Sequence, residues 1–254
     1  MIRLIKAEFH KLFTTRLWLY LLLISMALTA LYVSLTIAFS DDPDTWTVPL
    51  TTGAGRRMLF SLAASGSGTL VAVLSAIGIT GEFRHRSATA TFLATPRRGR
   101  VVVAKLATYG VVGIGYALAN LAVTIAITLS WLAAKDIDVS LTGDGVPATF
   151  AGVIAAVAIF GLVGVGLGAL LRDQVAAVVG LLIYLFVVEP ILTRIPALES
   201  WTIYLPGAAK NAMTQVSLTS QEYLEPWFGG ALFVAYGLAF AVAGMYLVIR
   251  RDVT

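Results

Sequence analysis

Apolar residues along this chain fall in long unbroken runs rather than in short alternations. Six stretches, at about 17–39, 58–80, 106–133, 148–171, 174–193 and 227–249, are almost continuously apolar. A helix rises about 1.5 Å per residue, so about 20 apolar residues cross a hydrocarbon layer about 30 Å thick. The pattern therefore predicts six transmembrane helices. Strands of a membrane barrel would alternate over about ten residues, which LWLYLLLISMALTALYV does not do.

Two polar segments interrupt this pattern in an ordered way. Residues 2–16, IRLIKAEFHKLFTTR, place Ile2, Ile5, Phe9, Leu12 and Phe13 on one helical face and spread Arg3, Lys6, His10, Lys11 and Thr14 over the other. Such a helix lies in the headgroup layer with its cations near membrane lipids. The first span after it, about 17–39, is too long for a signal peptide and offers no small-x-small cleavage site, so it is read as a retained helix. The second segment, TGEFRHRSATATFLATPRRGRVVVAKL at 80–106, joins the second and third spans. Residues 82–94 read as a short surface helix, and Thr95 with Pro96 as the cap and first position of a new helix running into the third span. Arg97, Arg98 and Arg100 then stand at a helix amino terminus, where the macrodipole disfavours cations. Lipid phosphates or an acidic protein partner would offset that cost.

Composition agrees with a membrane protein: 58% of residues are hydrophobic, 13% are charged, and mean hydropathy is +0.87. The net charge of +4 matters through its placement and carries no nucleic-acid reading. Most Lys and Arg fall in the amino-terminal arm, the second and fourth connections and the tail. The other connections hold Arg56, Arg57, Lys135, Arg194 and Lys210 among many Asp and Glu. This asymmetry predicts that both termini are cytoplasmic.

Enzyme chemistries are set aside by counting. There is no cysteine, and there are only two histidines, His10 and His85, both in segments expected to be cytoplasmic, so no metal centre and no base for the serines of SGSG at 65–68 is expected. A phosphate-binding G-x-x-x-x-G-K-[ST] loop is missing, because no Gly-Lys pair occurs. GVGLGA at 164–169 fits a loose dinucleotide fingerprint but lies inside a span with no strand before it. Within the spans, Ser61, Ser65 and Thr69, and likewise Gly164 and Gly168, form small-xxx-small patterns that suit helix seams. Glu189, followed by Pro190, is an intramembrane carboxylate, either a functional site or the place where the fifth span breaks and water enters. No strongly charged pocket is expected from the spans. Residues 194–226, broken by Pro196, Pro206, Gly207 and Pro226, form a long outer connection.

IKAEFHKLFTTRLWLYLL, GITGEFRHRSATATFLATPRRGRVVVAKL and YLPGAAKNAM, in this order, resemble the ABC-2 type family of ABC transporter permeases, in particular its compact six-span actinobacterial-type subunits. The resemblance implies an all-α polytopic fold forming a single transmembrane permease domain over 1–254. It would have an N-terminal interfacial helix, a cytoplasmic coupling helix between spans 2 and 3, and outer re-entrant helices between spans 5 and 6. It implies that Gly81, Glu82 and Phe83, with Arg84 and Arg86, open the coupling segment, and that Pro96 and Arg100 mark its exit. Ser87 and Ala88 stand where relatives often carry Gly-Thr. Ile5, Phe9, Lys11 and Phe13 belong to the interfacial helix. The implied partners are two copies of a separate ABC ATPase, which would bind ATP and Mg, and a second permease copy or paralogue, all at the bacterial plasma membrane. No cofactor is expected on this chain. An ion-coupled carrier working without an ATPase, with Glu189 as its ion site, is the alternative, and a membrane anchor without transport a third.

Overall fold

The computed structural model describes residues 1–40, 48–84, 98–214 and 224–250. These residues are helical apart from turns, with no strand among them. An amphipathic helix α1 (Ile2–Thr14) is followed by α2 (Leu17–Ala38), α3 (Gly53–Arg84), α4 (Arg98–Ala133) and α5 (Val146–Leu171). The fifth span, α6, covers Gln174–Leu192. One-turn helix α7 (Glu199–Thr202) and α8 (Pro206–Met213) precede the last span, α9 (Pro226–Arg250). Helices α2, α3, α4, α5, α6 and α9 are each long and apolar enough to cross a membrane. The chain is thus an all-α, multi-pass membrane protein.

Local chemistry sets where these helices start and stop. Helix α3 begins five residues before the apolar run, because Thr52 Oγ1 accepts the Gly55 amide at 3.1 Å and so caps an end that hydropathy alone leaves in the loop. Helix α5 ends at Arg172, whose φ of 57° turns the chain. Asp173 then caps α6 by accepting the Ala176 amide at 2.7 Å. Within α6, Tyr184–Val188 form a widened π turn directly before Glu189 and Pro190. The proline ring has no amide to donate and crowds the preceding turn, and the wider turn makes room for it.

Helices α3 and α5 form the centre: 67% of the apolar window of each is buried, against 17–33% in the other spans. Their contact is made by glycine. A Cβ on Gly164 would stand 2.2 Å from the Ala72 carbonyl oxygen, and one on Gly168 2.5 Å from the Ile79 side chain. Backbones can approach this closely only where side chains are missing, which is how small residues hold membrane helices together without a hydrophobic drive. The stripe read in the second span behaves differently. Ser65 is exposed and, with Thr69, borders a cavity instead of a seam within the chain. A separate polar seam ties α2 to α4, where buried Asn120 accepts from Thr29 Oγ1 at 2.8 Å and donates to Ser25 Oγ at 3.0 Å. Outward faces stay apolar, with Leu23, Leu31 and Leu35 of α2 and Val175, Val179 and Ile183 of α6 exposed, as a lipid solvent requires.

The spans alternate in direction, giving two ends. The basic end carries α1, Arg84, Arg100 and Arg172. At the opposite end Arg56 pairs with Asp144 and Arg57 Nη1 donates to the Asp144 carbonyl at 2.5 Å, stapling the start of α3 to the turn before α5. Two cations on the sparsely basic side are thereby accounted for.

Candidate functional site

Two polar constellations stand out, one at each end of the bundle. At the basic end, α1 lies across the end of α3 and the start of α4. Its inward edge is Glu8 and Leu12, one turn apart and both buried, while Ile2 and Phe13 stay exposed and Ile5 and Phe9 are half-buried. The apolar stripe is thus divided. Its outer part, where Phe9 stacks on Phe13 and Phe13 meets Trp18 edge-on, is left for lipid.

Glu8 sits on the border of that stripe and meets Lys105, from the second turn of α4, at 2.5 Å. Lys105 also reaches Glu82, in the last turn of α3, at 3.0 Å and the Gly78 carbonyl at 3.4 Å. Lys11 closes the ring, 2.8 Å from both Glu8 and Glu82. Two ammonium groups and two carboxylates alternate around one square. Side-chain exposure is 2% for Lys105, 7% for Glu8, 13% for Glu82 and 49% for Lys11. Buried charge is costly unless fully paired, and here all three donors of the Lys105 ammonium have an acceptor. Burial disfavours the Lys11 ammonium, but hydrogen bonds and charge from Glu8 and Glu82 outweigh it and raise its pKa above the ordinary 10.5. Beside the ring lies a cavity of about 400 Å³, bordered by Gly81, Arg84, Tyr109 and Gln174.

The residues expected to open a coupling segment therefore divide. Gly81 borders the cavity with open space around it, and Glu82 belongs to the ring. Phe83 packs against the core under Arg172, whose guanidinium is 5.9 Å from its ring centroid. Arg84 is exposed, 3.5 Å from Gln174 Oε1, and Arg100 is exposed on the first turn of α4. Arg86, Pro96 and the expected helix at 82–94 beyond Arg84 lie outside the described residues. Glu8 and Lys105 were not singled out by sequence. The signal available was a lone acid one turn from Leu4 and from Leu12, and a lysine inside the apolar run VVVAKL.

At the opposite end, Glu189 is buried, with 7% exposure. Its Oε1 accepts the Gly207 amide at 2.6 Å, so it caps α8 from a different helix. A Cβ at Gly207 would stand 2.3 Å from that oxygen, so a larger residue there would push the carboxylate off the amide. Next to it opens a cavity of about 510 Å³ between α3, α6 and α8. Lys210 of α8 enters this cavity and donates to Ser65 Oγ at 3.3 Å. Burial lowers the Lys210 pKa, with the Glu189 charge opposing. A charged pocket thus exists where the spans alone predicted none, because its lysine is supplied by the connection between spans. A second cavity of about 360 Å³, between α5, α6 and α9, is lined almost wholly by apolar groups such as Phe160, Leu181 and Phe233.

Fold and sites together define a six-span helical membrane protein with an ion-paired surface helix at one end and a charged cavity at the other. No protein-family model and no curated protein matches the chain.

Proposed function

We propose that this chain is the membrane-spanning permease subunit of an ATP-driven exporter of ABC-2 type, working in the bacterial plasma membrane with its basic end in the cytosol. A separate ATPase, in two copies, would bind ATP and Mg, and a second permease copy or paralogue would complete the path. The single observation that carries this reading is the Glu8–Lys105–Glu82–Lys11 ring. It joins α1 to both roots of the 85–97 connection, so force applied to that connection reaches α1, α3 and α4 as one body. A passive membrane half driven from the cytosol needs such a joint. The excess of Lys and Arg at this end supports its cytosolic placement, and the lack of a Gly-Lys pair supports ATP hydrolysis on another chain.

The ion-coupled carrier is the second reading, favoured by the buried Glu189 carboxylate. Its hydrogen bond to Gly207 gives that carboxylate a structural role and weakens the case. The test is co-purification of an ATPase with the full chain from its native membrane, followed by transport in inside-out vesicles. ATP-dependent uptake that is impaired by Arg84→Glu or Arg100→Glu, with insertion intact, supports the exporter. Uptake that persists without ATP and follows an imposed proton gradient overturns it. Glu82 is a poorer handle than these exposed arginines, because its replacement also breaks the ring.

A further inference from the structure

We infer that the cavity between α3, α6 and α8 is a binding site for the anionic group of an amphiphile, held by the Lys210 ammonium. The inference deepens the exporter reading by assigning a substrate class, and as transport it rests on that reading. As binding it stands alone.

An ammonium offers three N–H groups. Lys105, at the other end, uses three acceptors including two carboxylates. Among the described residues, Lys210 finds only the Ser65 hydroxyl, at a long 3.3 Å, and it faces a space of about 510 Å³. The Glu189 carboxylate, whose charge acts on Lys210, makes no direct ion pair with it. Glu189 lies outside ion-pair distance of Lys210 and spends Oε1 on the Gly207 amide, with the Ala208 amide also facing it. Arg194, also on the cavity wall, adds a second cation. Among the described lining residues, positive charge therefore exceeds negative, and the site favours a carboxylate, sulfate or phosphate.

Part of the remaining wall is apolar, beside Thr69, Thr193, Thr202 and Asn211. Phe160, Leu185, Phe186 and Ile203 line it, and Phe186 is 64% exposed at the outer surface of α6. An apolar body attached to the anion would lie against these groups, burying surface that hydrogen-bonding ligands leave open. A small inorganic anion would use only the cations.

The experiment uses the purified full chain in nanodiscs of phosphatidylcholine, without ATP or ATPase. Binding of a dansyl-labelled undecanoic acid is compared with that of the matching trimethylammonium compound. The expected result is preference for the acid, and about tenfold weaker binding of the acid after Lys210→Gln, as for loss of one charged hydrogen-bonding group. Ser65→Asp, which keeps Lys210 and occupies its donors, should also weaken the acid, so the outcome does not depend on one variant folding. Lys210→Arg should retain binding. Displacement of the probe in phosphatidylglycerol nanodiscs would identify a lipid headgroup as the anion's source, and displacement by alkyl sulfate alone a free amphiphile. Equal binding by wild type, Lys210→Gln and Ser65→Asp, or tighter binding of the cation, overturns the inference. If binding holds and no ATPase associates, the exporter reading fails and the site stands; if an ATPase associates and binding is absent, the reverse is true.

Discussion

The two ends of the bundle use the same side chains to opposite effect. At the basic end, lysines and glutamates from three helices close a ring with contacts of 2.5–3.0 Å, and charge is cancelled in place. At the opposite end Glu189 and Lys210 share a cavity but not an ion pair, because the carboxylate has turned to the amides of α8. Geometry decides which charges hold a fold and which remain available to a ligand. A paired set fixes elements to one another, and a divided pair leaves a field in a concave space.

Removing the centre of the ring should separate the two ends most clearly. Lys105→Met leaves buried Glu8 and partly buried Glu82 sharing Lys11 alone and should cost about 3–5 kcal/mol, the scale for breaking a buried pair. The thermal midpoint in detergent should fall sharply, and adding Glu8→Gln should restore part of the loss. Gly207→Ala should have the next largest effect, about 1–3 kcal/mol, by driving Glu189 off its amide. Hydrogen exchange should rise at 206–213 and stay unchanged at α1. If protection at α1 falls as well, the two ends are not independent.

Lys11→Met should cost least, about 1 kcal/mol or less, since that side chain is half in solvent. Its pH dependence has a definite sign. A lysine whose pKa is raised on folding contributes fully below the unfolded value and loses that contribution only as pH climbs past its folded value, here above 10.5. Wild type and Lys11→Met should therefore differ by a constant amount between pH 6 and 9, on the order of the cost above. A difference that changes across this window would place another titrating group in the ring.

The six spans were legible because a bilayer imposes a length and polarity that survive any tertiary arrangement. Their ends were less so. Hydropathy cannot see that Thr52 caps α3, or that Pro190 is absorbed by a widened turn rather than ending the fifth span. Glu189 was legible as a lone carboxylate in an apolar run, but its partner amide at Gly207 lies 18 residues on, in a segment read as a connection. Glu8 and Lys105 are 97 residues apart, and the helical pattern of each shows only an isolated charge near apolar neighbours. Their meeting is set by packing of α1 across two spans, which no local periodicity encodes. Lys11 and Glu82 were noted separately, one for an interfacial helix and one for a coupling segment, and the structure makes them neighbours.

The glycine contact between α3 and α5 has a mechanical consequence. With glycines set against the Ala72 carbonyl and the Ser75 and Ile79 side chains, these two spans have little room to slide or twist past each other, and they form the keel of the molecule. On the exporter reading proposed above, the working stroke would swing the peripheral spans around that keel. If the chain is such an exporter, a covalent tether from α3 to α5 should leave cargo movement intact, and one from α3 to α6 should arrest it.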